Sequence, residues 1–132
     1  LPAFTHLRSL NLDTVPVTDK DMSHMRNLHE LEELCMGCCP IGDAGVAHLA
    51  GLTRLKRLDL WETGVTDTGV KHLAKLSRLE HLDLTNTKIT DASVEPLMGL
   101  RSLKVLYLTG TAISEPSVAR LRKALPTATV HR

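Results

Sequence analysis

Leucine returns every 24 residues along this chain: Leu7, Leu31, Leu55, Leu79 and Leu103 are evenly spaced. Three further apolar columns keep the same step. Leu10, Leu34, Leu58, Leu82 and Leu106 form the second; Leu12, Met36, Leu60, Leu84 and Leu108 the third; Val17, Ile41, Val65, Ile89 and Ile113 the fourth. Self-similarity at a period of this size means stacked supersecondary units, each unable to bury its apolar face alone and each dependent on its neighbours. The period therefore dictates a repeat array.

Within one period the spacing changes character. Apolar and polar residues alternate at the head of each unit, so that Leu58 and Leu60 point inward while Arg57, Asp59 and Trp61 point outward. This predicts short strands near 9–13, 33–37, 57–61, 81–85 and 105–109. Later in each unit the spacing becomes helical, as in Val46, Leu49 and Leu52 or Val70, Leu73 and Leu76. Asp19, Asp43, Asp67 and Asp91, each following Thr or Gly, sit where a carboxylate caps the helix it begins, and Ser114 takes that place in the last unit. Strand, turn and helix repeated in one direction stack parallel strands side by side with helices on the opposite face, joined by right-handed crossovers.

The units begin HLRSLNLDTVPVTDKDM, ELEELCMGCCPIGDAGV, RLKRLDLWETGVTDTGV, RLEHLDLTNTKITDASV and SLKVLYLTGTAISEPSV. Their frame, LxxLxLxx(T/C)x(V/I)(T/G)DxG(V)xxLxxL, resembles the leucine-rich repeat family across essentially the whole chain. The turns look like those of the 24-residue form found in bacterial and kinetoplastid repeat proteins and in F-box ubiquitin-ligase receptors. The resemblance implies an α/β solenoid with a parallel sheet on its concave face and helices on its convex face. It also implies protein binding, without cofactor or catalytic residues. One position departs from the family pattern: where Asn or Cys is frequent, this chain has Val15, Cys39, Thr63, Thr87 and Thr111. Hydroxyls there are expected to form a hydrogen-bonded ladder between units, except at Val15.

Both ends carry expectations. Leu1 and Phe4 fall on the closing helical slots of a preceding unit, so the chain is expected to be the C-terminal fragment of a longer protein, a single domain over 1–132 with about five repeats. Thr127 to Val130 fall on a further strand, predicting a closing strand near 127–131.

Composition narrows the function. A net charge of +1 gives no global field to recruit nucleic acid. Apolar runs are interrupted every two or three residues, well short of the roughly 18 to 20 a bilayer crossing needs, so no membrane insertion is expected. Three cysteines, Cys35, Cys38 and Cys39, crowd one unit; an odd count argues against a disulfide framework and leans toward a reducing environment. Their frame argues against zinc, because Cys35 faces the concave surface and Cys39 points inward. His24, His48 and His72 share a helical column whose axes stand roughly 8 to 10 Å apart, too far to meet one ion. No metal or cofactor is expected.

Outward strand positions form lateral columns about 4.8 Å apart between neighbouring strands. The single Trp and the single Tyr of the chain both fall there, as Trp61 and Tyr107, although aromatics make up 2% of residues. Large apolar side chains on an open sheet either shield its aliphatic floor or serve as binding anchors, and binding is the favoured expectation here. Asp59 and Asp83 stand side by side in one column, a like-charge contact that destabilises a sheet unless something offsets it. Arg57 and His81 flank them and are placed to do so; alternatively a basic ligand side chain grips both carboxylates. A shallow, wet sheet is no setting for glycosidase chemistry. Arg54, Lys56, Arg78, Arg101 and Lys104 gather at the helix-to-strand turns, with Glu30, Glu32 and Glu33 as an acidic counterpart. Without interleaved aromatics this reads as a solvated edge, not a nucleic-acid surface.

The first expectation is a non-enzymatic module binding a protein or peptide on its concave sheet, centred on Trp61, Tyr107, Arg57, Asp59, Asp83 and His81. A second is the substrate-recognition domain of a larger enzyme or adaptor such as a ubiquitin-ligase receptor. A third is a structural spacer that self-associates through an unprotected first repeat.

Overall fold

The computed structural model describes residues 6–132. Leu1 and Phe4 lie outside the described residues. Six strands of three residues run along the array: β1 (Ser9–Asn11), β2 (Glu33–Cys35), β3 (Arg57–Asp59), β4 (His81–Asp83), β5 (Val105–Tyr107) and β6 (Thr129–His131). They pair in parallel in sequence order, and each residue meets the one 24 positions on, as Leu34 meets Leu58 and Leu58 meets Leu82.

Parallel neighbours need a crossover over one face of the sheet. Helical segments supply it: a 3-10 helix over Asp21–Asn27, α1 (Asp43–Ala47), α2 (Asp67–Leu73), a 3-10 turn over Asp91–Ser93 running into α3 (Val94–Met98), and α4 (Glu115–Ala124). The product is an α/β solenoid with an open parallel sheet. Its core is the set of in-register columns. Leu34, Leu58, Leu82 and Leu106 are each 0% exposed, with Val46, Val70, Leu73 and Val118 from the helices packed on them. A buried Leu or Val contributes about 1.5–3 kcal/mol, so the stack is held mainly by this shared spine. In the first unit Leu7, Leu10, Leu12 and Val17 are only partly buried, and Val15 is 40% exposed.

The paired strands are shorter than the alternation predicts. Thr14, Cys38, Glu62 and Asn86 have φ of 65°, 59°, 54° and 56°, and Gly110 73°. This left-handed conformation turns the chain off the sheet one residue after Asp13, Gly37, Trp61, Thr85 and Thr109. Inter-repeat hydrogen bonds nevertheless continue through the turn, for example Cys38 N–H to the Trp61 carbonyl at 2.9 Å and Glu62 N–H to the Thr85 carbonyl at 2.8 Å. The third outward column is thus the rim of the concave face, not part of the strands.

Two expectations about polar columns are corrected. The aspartates do not cap their own helices; each reaches into the next repeat. Asp19 Oδ1 accepts from the N–H groups of Gly42 (2.7 Å) and Gly45 (3.1 Å), and Asp43 accepts from the N–H (2.8 Å) and hydroxyl (2.5 Å) of Thr66. Asp67 does the same at Thr90, and Asp91 Oδ1 accepts from the Ser114 N–H at 2.7 Å. Side-chain caps occur in the last three units and come from the residue before the helical segment: Thr66 accepts from Thr68 N–H and Thr90 from Ala92 N–H, while Ser114 caps α4 as expected; the segments that follow Lys20 and Gly42 have no side-chain cap. Asp43, Asp67 and Asp91 stand at the first position of their own helical segments and Asp19 two residues before its own, and each carboxylate reaches the start of the following unit.

The threonine column is not a ladder either. Thr63, Thr87 and Thr111 each donate to the carbonyl three residues back in their own turn, at 2.7, 2.7 and 2.6 Å. A short hydroxyl reaches that local acceptor first. Only Cys39 crosses between units, its Sγ donating to the Leu12 carbonyl at 3.1 Å.

Candidate partner-binding site

The helices cover one face of the sheet, leaving the other lined by side chains at outward strand positions. On β3 the alternation puts Arg57 and Asp59 on this face, but their fates differ. The Asp59 side chain is only 6% exposed, whereas that of Arg57 is 47% exposed. Arg57 lies over Asp59 and donates to its Oδ2 through Nε (3.2 Å) and Nη2 (3.0 Å). From β2 the Cys35 thiol donates to the same oxygen at 3.2 Å. From β4 His81 Nε2 stands 3.1 Å from Oδ1, an ion pair whenever the imidazole is protonated. That contact is close but poorly aligned, so Oδ1 has no hydrogen-bond partner. Asp59 is therefore a hub joining three strands beneath the surface, and Arg57 and His81 are its displayed parts.

Electrostatics follow from this geometry. The hydrogen bond to Asp59 holds the Arg57 guanidinium still more firmly protonated. Burial, then the hydrogen bond and charge of Asp59, push the Cys35 thiol up to about 11. Cys38 is pushed to about 11 by its hydrogen bond to Glu62 (3.1 Å) and then by burial. The three thiols face three different acceptors, and among the described residues no three His, Cys, Asp or Glu side chains come together as a ligand set.

Asp59 and Asp83 are register partners, as the sequence columns place them, but their carboxylates are engaged apart. Asp83 Oδ1 turns along its own strand to accept the Thr85 N–H at 2.9 Å. Tyr107, the next residue along that column, is half-buried; its ring stands 5.5 Å from that of His81 and stacks on that of His131 at 4.6 Å, 12° from parallel. Trp61 sits on the rim, half-buried, its indole lying across β2's flank: a Cβ on Gly37 would fall 2.0 Å from Trp61 Cε2. The glycine makes room for the indole. Gly37 is fixed in turn by its N–H, which donates to Asp13 Oδ1 at 2.7 Å.

Sequence reasoning thus placed all six candidate residues on one face. It missed the burial of Asp59 and the part of His131, whose signal was its position one period after Tyr107. The basic edge also has more order than its composition shows. Arg8, Glu32, Lys56, Glu80 and Lys104 alternate in sign one period apart, with Lys56–Glu32 at 3.6 Å and Lys104–Glu80 at 3.0 Å. A groove of about 570 Å³ near Met98, Arg101, Leu125 and Pro126 lies at the ends of α3 and α4, away from this face.

Comparison with known proteins agrees with this architecture. Leucine-rich repeat family models match residues 53–113 and 24–50, and the chain belongs to the leucine-rich repeat family. Members of this family commonly mediate protein–protein interaction and are typically non-enzymatic. Among solved structures it is similar to a leucine-rich repeat protein of Leptospira interrogans, with a TM-score of 0.66 and 23% identity over 83% of this chain and 27% of that one. It is also similar to an internalin of Listeria monocytogenes, with a TM-score of 0.62 and 23% identity over 96% of this chain and 40% of that one. The chain thus spans less than half the length of either protein, and likeness at this identity concerns the fold. No curated protein matches it in sequence. Among the described residues, no helix is long and apolar enough to cross a membrane.

Proposed function

We propose that this chain is a non-enzymatic interaction module that binds a protein or peptide partner on its concave sheet. The reading rests above all on Trp61 and Tyr107, the chain's only Trp and Tyr, both half-exposed on the face the helices leave open. Aromatic and arginine side chains dominate binding energy where they are surrounded by well-packed neighbours. Arg57 is held by two hydrogen bonds to a buried carboxylate, so it loses little further freedom when a partner docks. His81 and Asp83 extend the contact centre across β4, and Asp59 supports it from below.

A peptide-display selection against the folded chain tests this. Selected peptides are titrated against Trp61→Ala/Tyr107→Ala and against Lys75→Ala/Lys123→Ala, which alters exposed residues on the helical side. The expected result is at least a tenfold loss of affinity for the first variant and none for the second. The reverse pattern overturns the reading.

A further inference from the structure

A buried oxygen decides which hydrogen-bonding edge His81 shows. Asp59 Oδ2 accepts from Arg57 Nε, Arg57 Nη2 and the Cys35 thiol. Oδ1, by contrast, is among the described residues the one buried side-chain nitrogen or oxygen without a hydrogen bond. A carboxylate oxygen shut off from water and left unpaired costs more than an ordinary hydrogen bond contributes. The group standing against it is His81 Nε2, at 3.1 Å. A lone pair on that nitrogen would face a lone pair on the oxygen. The proton of the neutral ring therefore belongs on Nε2, where a small turn of the ring completes the bond. On the other flank Tyr107 holds the ring at 5.5 Å and is itself backed by the stacked His131. The second nitrogen, Nδ1, is thereby an acceptor. It makes no hydrogen bond to the described residues and is not among the buried unpaired atoms, so it stands open to solvent.

Beside this acceptor stands a donor. Arg57 is the register partner of His81, and with Nε and Nη2 both given to Asp59 it keeps Nη1 free of hydrogen bonds to the described residues. The Arg57 side chain is exposed and that of His81 half-buried. One carboxylate thus fixes a donor and an acceptor on neighbouring strands, whose backbones lie about 4.8 Å apart. A ligand carboxylate would suit Arg57 but oppose the Nδ1 lone pair, and a ligand cation would suit Nδ1 but oppose Arg57. A carboxamide suits both, because its oxygen accepts and its NH2 donates along one edge. At the end of an Asn or Gln side chain it can also reach down to a half-buried ring.

We infer that Arg57 and His81 together receive the side-chain carboxamide of an Asn or Gln on the protein partner, with Asp59 as the positioning residue that sets the His81 tautomer. This rests on the concave-face reading above and adds to it the chemistry of the group recognised. A pH dependence comes with it. Histidine takes its second proton between about pH 5 and 8. On His81 that proton goes to Nδ1 and turns the acceptor into a donor. The charged and titratable groups around the ring are Arg57 and Asp59 on β3, Asp83 on its own strand, Glu80 paired with Lys104, Tyr107 on β5 and His131 on β6.

The tautomer is read from the imidazole nitrogen and ring-carbon resonances of the isotopically labelled whole chain at pH 8. His81 should be a single Nε2–H form, and in Asp59→Ala it should revert to the mixture it shows in urea. An Nδ1–H ring in the parent, or a single tautomer kept in folded Asp59→Ala, overturns the inference. Should that variant not fold, the parent spectrum and the peptide arm decide. In that second arm a random peptide library is selected against the chain at pH 8. Selected peptides should carry an Asn or Gln whose replacement by Leu weakens binding to the parent about tenfold, with no loss against His81→Phe. Binding to the parent should also weaken about tenfold from pH 8 to pH 5, with no such change in His81→Phe. Peptides that need Trp61 and Tyr107 but no Asn or Gln overturn this inference alone, and peptides that bind the helical side overturn the concave-face reading as well.

Discussion

Asp67 reaches across a repeat boundary to Thr90, accepting from its backbone N–H at 2.8 Å and from its hydroxyl at 2.6 Å. It also accepts from the Ser93 hydroxyl at 2.5 Å. One side chain thereby satisfies free donors at the start of the following helical segment and fixes the distance between two units. Hydrogen bonds to a charged group contribute about 1.5–3 kcal/mol where they are protected from solvent. Asp67→Ala should therefore lower the free energy of unfolding by about 2 kcal/mol, with urea denaturation as the measurement. An unchanged midpoint would show that the inter-repeat staple carries no stability.

The same staples set the acid limit of the fold. Burial pushes the Asp67 carboxyl up, but hydrogen bonds from Ser93 and Thr90 outweigh it and hold it below the usual carboxylate range. Asp91 is lowered by the Ser114 N–H and by the hydroxyls of Ser117 and Ser114. A carboxyl lowered on folding contributes stability that is present above its unfolded value of about 3.9 and is lost as pH falls through its folded one. Urea midpoints should hold steady from pH 6 to about 5 and fall below pH 4, and the fall should be shallower in Asp67→Ala. A midpoint independent of pH down to 2 would contradict this.

Space for the staples comes from small residues at the third helical position. A Cβ on Gly69 would sit 2.4 Å from Asp43 Oδ1 and 2.9 Å from Val65 Cγ1, whereas one on Gly51 would meet nothing within 4 Å. Helix propensity alone predicts that Gly69→Ala, within α2, stabilises by up to about 1 kcal/mol, while Gly51 lies in the turn after α1. The packing predicts opposite signs: Gly69→Ala destabilises by about 1–2 kcal/mol, as forced overpacking does, and Gly51→Ala is neutral or slightly stabilising. Thermal unfolding of the two variants decides between them.

The cysteines should be slow to react. A thiol at about 11 instead of 9.0 holds roughly 100-fold less thiolate at pH 8, and the thiolate is the nucleophile. Iodoacetamide should modify Cys35 and Cys38 in the folded chain about 100-fold more slowly than in urea. Glu62→Gln should speed Cys38 alone. Alkylation of the folded chain at the unfolded rate would contradict the hydrogen bonds assigned to Glu62 and Asp59.

The apolar columns made the fold legible, because a fixed period leaves one parallel register and buries Leu34, Leu58, Leu82 and Leu106 together. Polar detail was less legible, and for a definite reason. In a stack, a side chain has hydrogen-bond partners one period away as near as those in its own unit, so sequence distance does not reveal that Asp43 accepts from Thr66 in the next repeat. Alternation likewise assigned Asp59 to the open face without showing that Arg57 and His81 would close over it. The left-handed column at Thr14, Cys38, Glu62 and Asn86 carried almost no signal, since glycine fills it only at Gly110.

The central claim is that the open sheet, not the helices, is the docking face. Chemical-shift mapping of the labelled chain with a display-selected peptide tests it most directly. The account predicts the largest changes at Trp61, His81, Asp83, Thr85 and Tyr107, with α1, α2, α3 and α4 unaffected. Changes concentrated on the helices, with the Trp61 indole signal unmoved, would contradict it.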